Sequence, residues 1–356
     1  MRRLWLTATI ALSVLSSGFK ILYEESYSFQ REKKVTFQLV QTFGAETSPK
    51  DALLSSISRV VVDKKGNIYI NDKGERIVSF KPDGTLRWKA DKKGDGPGDI
   101  KKVRGIATDG GKYLYLGNID GSRIDKFDLS GKYINSINNS EIHLNSIYIE
   151  GFIKPNLLVV SQPVWGKAGV EVIIIEVDKN CKIKQRFIID VSGDLKLSNG
   201  VNAGININIS DNLITAGNCN EYKLFIYDIN GNCVKTIKRN YGRIATVFPL
   251  PNGVSCAGDI GAPVKICGSF YLCPLSYPIG IESAEELRSQ RGKIEYKRLL
   301  DIFDEAGNLI YSKEGKGSSD DEIGSIEIAG IDGYLYTSKK EPYPCVCKYK
   351  VIIENK

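Results

Sequence analysis

Histidine is almost missing from this chain: His143 is the single one in 356 residues, and no Cys-x-x-Cys pair occurs. Closed zinc sites draw on closely spaced Cys and His, so a zinc centre is poorly supplied. A Ser-His-Asp hydrolase would need His143 as its base. That residue sits in a polar stretch between strand-like runs, and no G-x-S-x-G elbow accompanies it. Cysteine is absent before position 181, so no disulfide framework organises the first half. A fold of this length does not depend on one. Basic residues number 49 against 42 acidic ones, but they are interspersed and nowhere form a tract. Nucleic-acid binding is therefore not expected. Beyond the first eighteen residues no apolar run approaches the about 20 residues of a spanning helix, so no membrane span is expected in the mature chain.

What is present begins with an export pattern. Arg2 and Arg3 precede the apolar run Leu4 to Leu15, followed by the small residues Ser16 and Gly18. This reads as a signal peptide over 1–18, with a polar tether over 19–34 and a periplasmic or secreted destination. Leu15-Ser16-Ser17 resembles the start of a lipoprotein box, but Gly18 stands where the lipidated Cys would be, so a lipoprotein is not expected. Without Arg2 and Arg3 the chain carries 47 basic and 42 acidic residues, a net of +5. The 35 Gly and 18 Tyr, with abundant Val and Ile, favour strands and tight turns.

A repeat then fixes the architecture. Asp128-Leu129-Ser130-Gly131, Asp228-Ile229-Asn230-Gly231 and Asp304-Glu305-Ala306-Gly307 share a D-x-x-G turn after an aromatic residue. Lys81-Pro82-Asp83-Gly84 is a close variant and Asp178-Lys179-Asn180-Cys181 a degenerate one. The closing positions 84, 131, 181, 231 and 307 are spaced by 47, 50, 50 and 76 residues. A period of about 50 residues with four short strands per unit is the signature of propeller blades. The predicted fold is all-β, a six-bladed β-propeller of four-stranded antiparallel blades over 35–356, with an insertion in blade five at about 264–297. Blade six supplies three strands of its own, and Val35 to Phe43 is expected to complete it, closing the ring without an open edge. The alternatives for the inner strand of blade five are VSCAGDI and SFYLCPL.

GNIYINDKGERIVSFKPDG, the loop Gly94-Asp95-Gly96-Pro97-Gly98-Asp99 and GIATDGGKYLYLG together resemble the six-bladed NHL-type, TolB-like propellers. Exported bacterial members join blades through a G-x-GPG-[ED] loop. The resemblance implies the fold and leaves the activity open. No helix follows the glycine-rich loop, so it lacks the context of a phosphate cradle. Counting from Asp91, position 12 is Lys102 where a calcium loop needs a carboxylate. It reads as a joint between blades.

The recurrent ligand site of a propeller is the mouth of its central channel. Arg59, Arg104 and Arg243 precede inner strands and would favour an anionic ligand, unless each is spent on a loop carboxylate such as Asp95 or Asp99. Loops on the same face add Asn71, Asp72, Asn118, Asp120, Asn218, Glu221 and Trp165, the candidate aromatic anchor. Among cysteines, Cys267 with Cys273, or either with Cys256, would form the local bridge. Cys345 and Cys347 would share one strand face, where pairing is awkward.

Some NHL-type propellers are amidating lyases with a His-bound zinc, which His143 alone cannot build. Calcium-dependent lactonase-type propellers need only carboxylates and amides round the channel; Asn145, Asn202, Asp211 and Asp259 are available, and calcium is the one cofactor this implies. Two readings stand. The favoured one is a monomeric, non-enzymatic binding scaffold for a protein, peptide or glycan at the channel mouth. The alternative is a calcium-dependent lactonase or esterase working in the channel.

Overall fold

A computed structural model describes the chain from Lys33 to Asn355, apart from residues 47, 119–121, 139–140, 143–145, 165–168, 178–180, 191–205, 218–221, 240–246, 251–252, 257–258, 282, 291–292 and 317–322; for 247–260 only the backbone is described. Six antiparallel blades follow one another along the chain, and in the first five the earliest strand is innermost. Blade one is Ile57–Val62, Ile68–Asp72, Arg76–Phe80 and Leu86–Ala90; blade two is Val103–Thr108, Tyr113–Asn118, Arg123–Asp128 and Tyr133–Ile137. Blade three is Tyr148–Lys154, Leu157–Pro163, Gly169–Glu176 and Lys182–Asp190; blade four is Asn206–Ser210, Leu213–Gly217, Lys223–Tyr227 and Cys233–Lys238. The innermost strands neighbour one another in blade order, and that of blade six neighbours that of blade one. The ring is a closed six-bladed propeller.

Blade six contains Ser325–Ala329, Leu335–Lys339 and Cys345–Asn355, and its outer strand is Lys33–Phe43 from the other end of the chain. Those two strands pair from Lys33 opposite Asn355 to Phe43 opposite Val346. The first two positions of that strand, Lys33 and Lys34, lie inside the stretch read as a tether, whose remaining residues are outside the described ones.

Blade five resolves the two alternatives for its inner strand. Asp259–Ile260 and Val264–Ile266 together form a broken inner strand, and both pair with Phe270–Pro278. Tyr296–Asp304 and Leu309–Lys316 complete the blade. The span 264–297 thus holds two of the blade's own strands. Outside the four-strand plan are a separate hairpin, Val247–Leu250 with Gly253–Cys256, and a short helix, Ala284–Ser289. Ser283 caps that helix, accepting from the Glu286 amide at 3.1 Å while the Glu286 carboxylate accepts from the Ser283 amide. No helix among the described residues is long and apolar enough to cross a membrane.

The core is divided among the blade interfaces. Among the described residues six apolar clusters occur, one between each pair of adjacent blades. Successive residues of a middle strand feed opposite clusters: Ile68 and Ile70 face blade six while Tyr69 faces blade two. A strand covered on both faces needs apolar residues at every position, which explains runs such as VEVIIIE.

The D-x-x-G repeat falls at the turn between the third and outer strands. In the four glycine copies the Gly N–H donates to the carbonyl three residues earlier, at 3.0 to 3.1 Å. Gly131 and Gly231 adopt φ of 90° and 82°. A Cβ there would meet the Trp88 ring at 2.8 Å and the Phe187 ring at 2.6 Å, each from the preceding blade's outer strand. The turn must therefore be both left-handed and bare. Trp88 also donates its indole N–H to the Leu129 carbonyl at 3.0 Å, latching blade one to the turn of blade two. In the degenerate copy Cys181 occupies the left-handed position, with φ of 46°.

Candidate binding site at the channel mouth

The channel-facing side chains are set by irregularities in the innermost strands. In blade one the pairing skips Ser58, between Ile57 opposite Asp72 and Arg59 opposite Asn71. It skips Arg104 and Gly105 in blade two, Glu150 in blade three and Glu327 in blade six. A bulge leaves its extra residue out of the ladder and re-aims the side chain. Four of the six inner strands thus carry a bulge at the same level.

Arg59 crosses the channel. Its Nη2 donates to the Glu150 carbonyl oxygen at 2.7 Å and lies 3.5 Å from the Glu150 carboxylate. Its Nε is buried and finds no partner among the described residues. Glu150 Oε1 also accepts from Ser161 Oγ at 2.6 Å. On the opposite wall Glu327 Oε1 accepts from Ser338 Oγ at 2.7 Å. Burial pushes the Glu327 carboxyl up to about 7, against the opposing pull of the Ser338 hydrogen bond and the Arg59 charge.

Two cavities meet at Ser58 and Arg59. One, of about 620 Å³, runs along blades four to six past Asn206, Asn208, Arg298 and Glu327. The other, of about 310 Å³, opens beside blades one to three and is lined by Arg59, Lys73, Lys102, Arg104, Tyr148 and Glu150 among others. Among the described residues, four cations and one carboxylate ring this smaller cavity. Lys73 and Lys102 are exposed. The Arg104 guanidinium lies 5.1 Å from the Tyr148 ring centroid, and no carboxylate among the described residues pairs with it.

Arg59 and Arg104 are therefore brought together, and neither is spent on Asp95 or Asp99. Asp95 pairs with Lys101 at 2.9 Å and Asp99 with Lys92 at 2.8 Å. The loop holding those carboxylates is clasped from blade two, where Arg123 donates to the carbonyls of Asp95, Gly96 and Asp99. Asn118, buried, donates to the Asp99 carbonyl at 2.9 Å. Asn71 donates to the Val103 carbonyl at 3.1 Å and accepts from the Gly74 amide at 3.1 Å. Asp72 accepts from the amides of Ser55 and Ser56 and from Arg76. These three side chains tie blades to their connecting loops and offer little to a ligand. Arg243, Asp120, Trp165, Asn218 and Glu221 lie outside the described residues.

Of the residues considered for calcium, Asn145 and Asn202 lie outside the described residues, as does the side chain of Asp259. Asp211 sits in a turn and pairs with Lys265 at 3.1 Å. Among the described residues no group of three or more His, Cys, Asp or Glu side chains is placed to hold a metal ion. Cys267 is exposed and Cys273 buried, and the expected disulfide does not join them.

Glu150, Glu327, Tyr148, Lys73 and Lys102 were not among the candidates read from the sequence. A signal existed: a charged residue embedded in an innermost strand, as in YIEGFI and SIEIA, has nowhere to point but the channel. Finding it requires knowing which strand is innermost.

No family model matches this chain, and no curated protein matches it in sequence. Its architecture is similar to the crystal structure of a DUF4221 family member from Bacteroides vulgatus, with a TM-score of 0.61, 11% identity, and coverage of 91% of this chain and 99% of that one. It is also similar to a Bacteroides fragilis protein provisionally described as exported, with a TM-score of 0.54, 9% identity, and coverage of 92% and 98%. At such identities the likeness shows the fold alone.

Proposed function

We propose that this chain is an exported, non-enzymatic binding propeller. It takes an anionic group of a peptide, protein or glycan ligand at the mouth ringed by Arg59, Lys73, Lys102 and Arg104. The observation that carries this reading is the imbalance of charge round the 310 Å³ cavity, with Arg104 unpaired by any described carboxylate and Tyr148 beside it. A planar guanidinium suits a carboxylate, phosphate or sulfate bidentately, and the exposed lysines add attraction at longer range. Arg59 supplies positive charge near both Glu150 and Glu327, and this reading calls for no metal ion. The N-terminal export pattern, the sequence resemblance of blades one and two to NHL-type propellers and the exported description of one structural neighbour fit this reading, with the monomer as the working unit.

Binding of oligogalacturonate and oligoglutamate, measured calorimetrically at low and physiological salt, tests the proposal. Binding by the wild type that weakens with salt and falls in Arg104→Ala supports it. Absence of binding to every anionic probe, or binding indifferent to Arg104, sinks it.

A further inference from the structure

Outside the channel, a pair of thiols on one strand face is a cluster that the channel-mouth reading does not use. Cys345 and Cys347 flank Val346 in the third strand of blade six. Val346 packs toward blade one with Phe43 and Val60, whereas both cysteines face blade five among Ile302, Ile310 and Leu335. Their sulfurs are 4.0 Å apart.

That spacing disfavours one chemistry and suits another. Alternate residues of a strand lie about 6.7 Å apart at Cα, against a disulfide range of about 4.4–6.8 Å centred well below that. Closing a bond between these sulfurs would bend a strand held by ladders on both sides. An ion midway would sit about 2.0 Å from each sulfur without moving the backbone. Structural zinc takes four ligands, and no cluster of three or more ligating side chains exists among the described residues. A soft monovalent ion is satisfied by two thiolates, and thiolates select monovalent copper.

We propose that Cys345 and Cys347 bind one Cu(I) ion in two-coordinate dithiolate geometry between blades five and six. The two S–H protons leave to solvent, two sulfur lone pairs fill the ion's coordination sphere, and no electron is transferred. The bound unit carries one net negative charge, and Lys339, in register opposite Cys345, offsets it. Burial keeps bulk water away, and although the Thr42 and Tyr349 hydroxyls neighbour Cys347, such hard oxygen donors compete poorly with two thiolates for a soft ion. Cys345 is the first residue of its strand, separated only by the half-buried Pro344 from the exposed segment Lys340–Tyr343, which gives the ion a way in.

The test uses the full chain, reduced and handled anaerobically, with ascorbate-reduced copper delivered against bicinchoninate. The expected result is one equivalent of Cu(I) retained, with Cys345→Ser and Cys347→Ser each losing retention at least tenfold while Cys233→Ser and Cys267→Ser keep it. A second readout needs no variant: bound copper shields Cys345 and Cys347, and no other cysteine, from alkylation mapped by mass spectrometry. No retention, equal retention in Cys345→Ser/Cys347→Ser, protection of other cysteines instead, or a Cys345–Cys347 disulfide in the purified protein would overturn the proposal.

Discussion

Arg59 in blade one and Glu150 in blade three meet across the central channel, guanidinium to carboxylate at 3.5 Å and guanidinium to backbone carbonyl at 2.7 Å. Their positions are 91 residues apart in the chain. The pair links two blades that share no sheet, and it sits where both channel cavities meet.

Removing one partner should cost more than removing both. The side chains are 22% and 10% exposed, so Arg59→Met should destabilise by about 2 kcal/mol, below the range of a fully buried pair. Arg59→Met/Glu150→Gln should recover part of that loss. Urea unfolding of the single and double variants measures the coupling, and simple additivity would show that the contact is energetically idle.

Glu327 predicts a pH dependence of stability. Its folded value, about 7, lies above the ordinary carboxyl value of 4.5. The folded state therefore holds a proton that the unfolded chain has released. This stabilising contribution is fully present below about 4.5 and is lost as pH rises through about 7. Glu327→Gln should flatten that part of the stability curve and gain on the wild type at pH 8. Thermal unfolding from pH 4.5 to 8 would show this, and an unchanged slope would refute it.

Arg104→Ala should weaken an anionic ligand roughly tenfold, in keeping with the loss of a charge-assisted hydrogen bond. Lys73→Ala and Lys102→Ala should act mainly on the association rate and its salt dependence. Stopped-flow binding with oligoglutamate separates the two effects. Equal behaviour of all three variants would argue for diffuse attraction without a seat for the ligand.

Gly131→Ala should destabilise by about 1–2 kcal/mol, because a side chain is strained at φ of 90° and would strike Trp88. The red-shifted emission of a displaced indole would accompany that loss. A variant as stable as the wild type would mean that the latch between blades one and two is slack.

The repeat was legible because each D-x-x-G turn is a local device: an Asp that accepts nearby amides and a glycine at a left-handed position three residues on. The copies marked the blades even where Cys181 replaced the glycine. Asn71, Asp72 and Asn118 looked like site residues because loops carry function as well as joints. Burial decided otherwise, since all three are almost wholly enclosed and bonded to loop backbone. Blade five stayed ambiguous because its inner strand is broken into pieces of two and three residues, too short for periodicity to register.

The amino-acid sequence by itself determined the number of blades, their order and the strand that closes the ring, since turns and apolar runs act between near neighbours. The composition of the channel was decided only by the tertiary structure. Bulges shift single residues out of the ladder, and partners such as Arg59, Glu150 and Glu327 come from blades distant in sequence. Their meeting depends on the closure of the whole ring, and no local pattern encodes it.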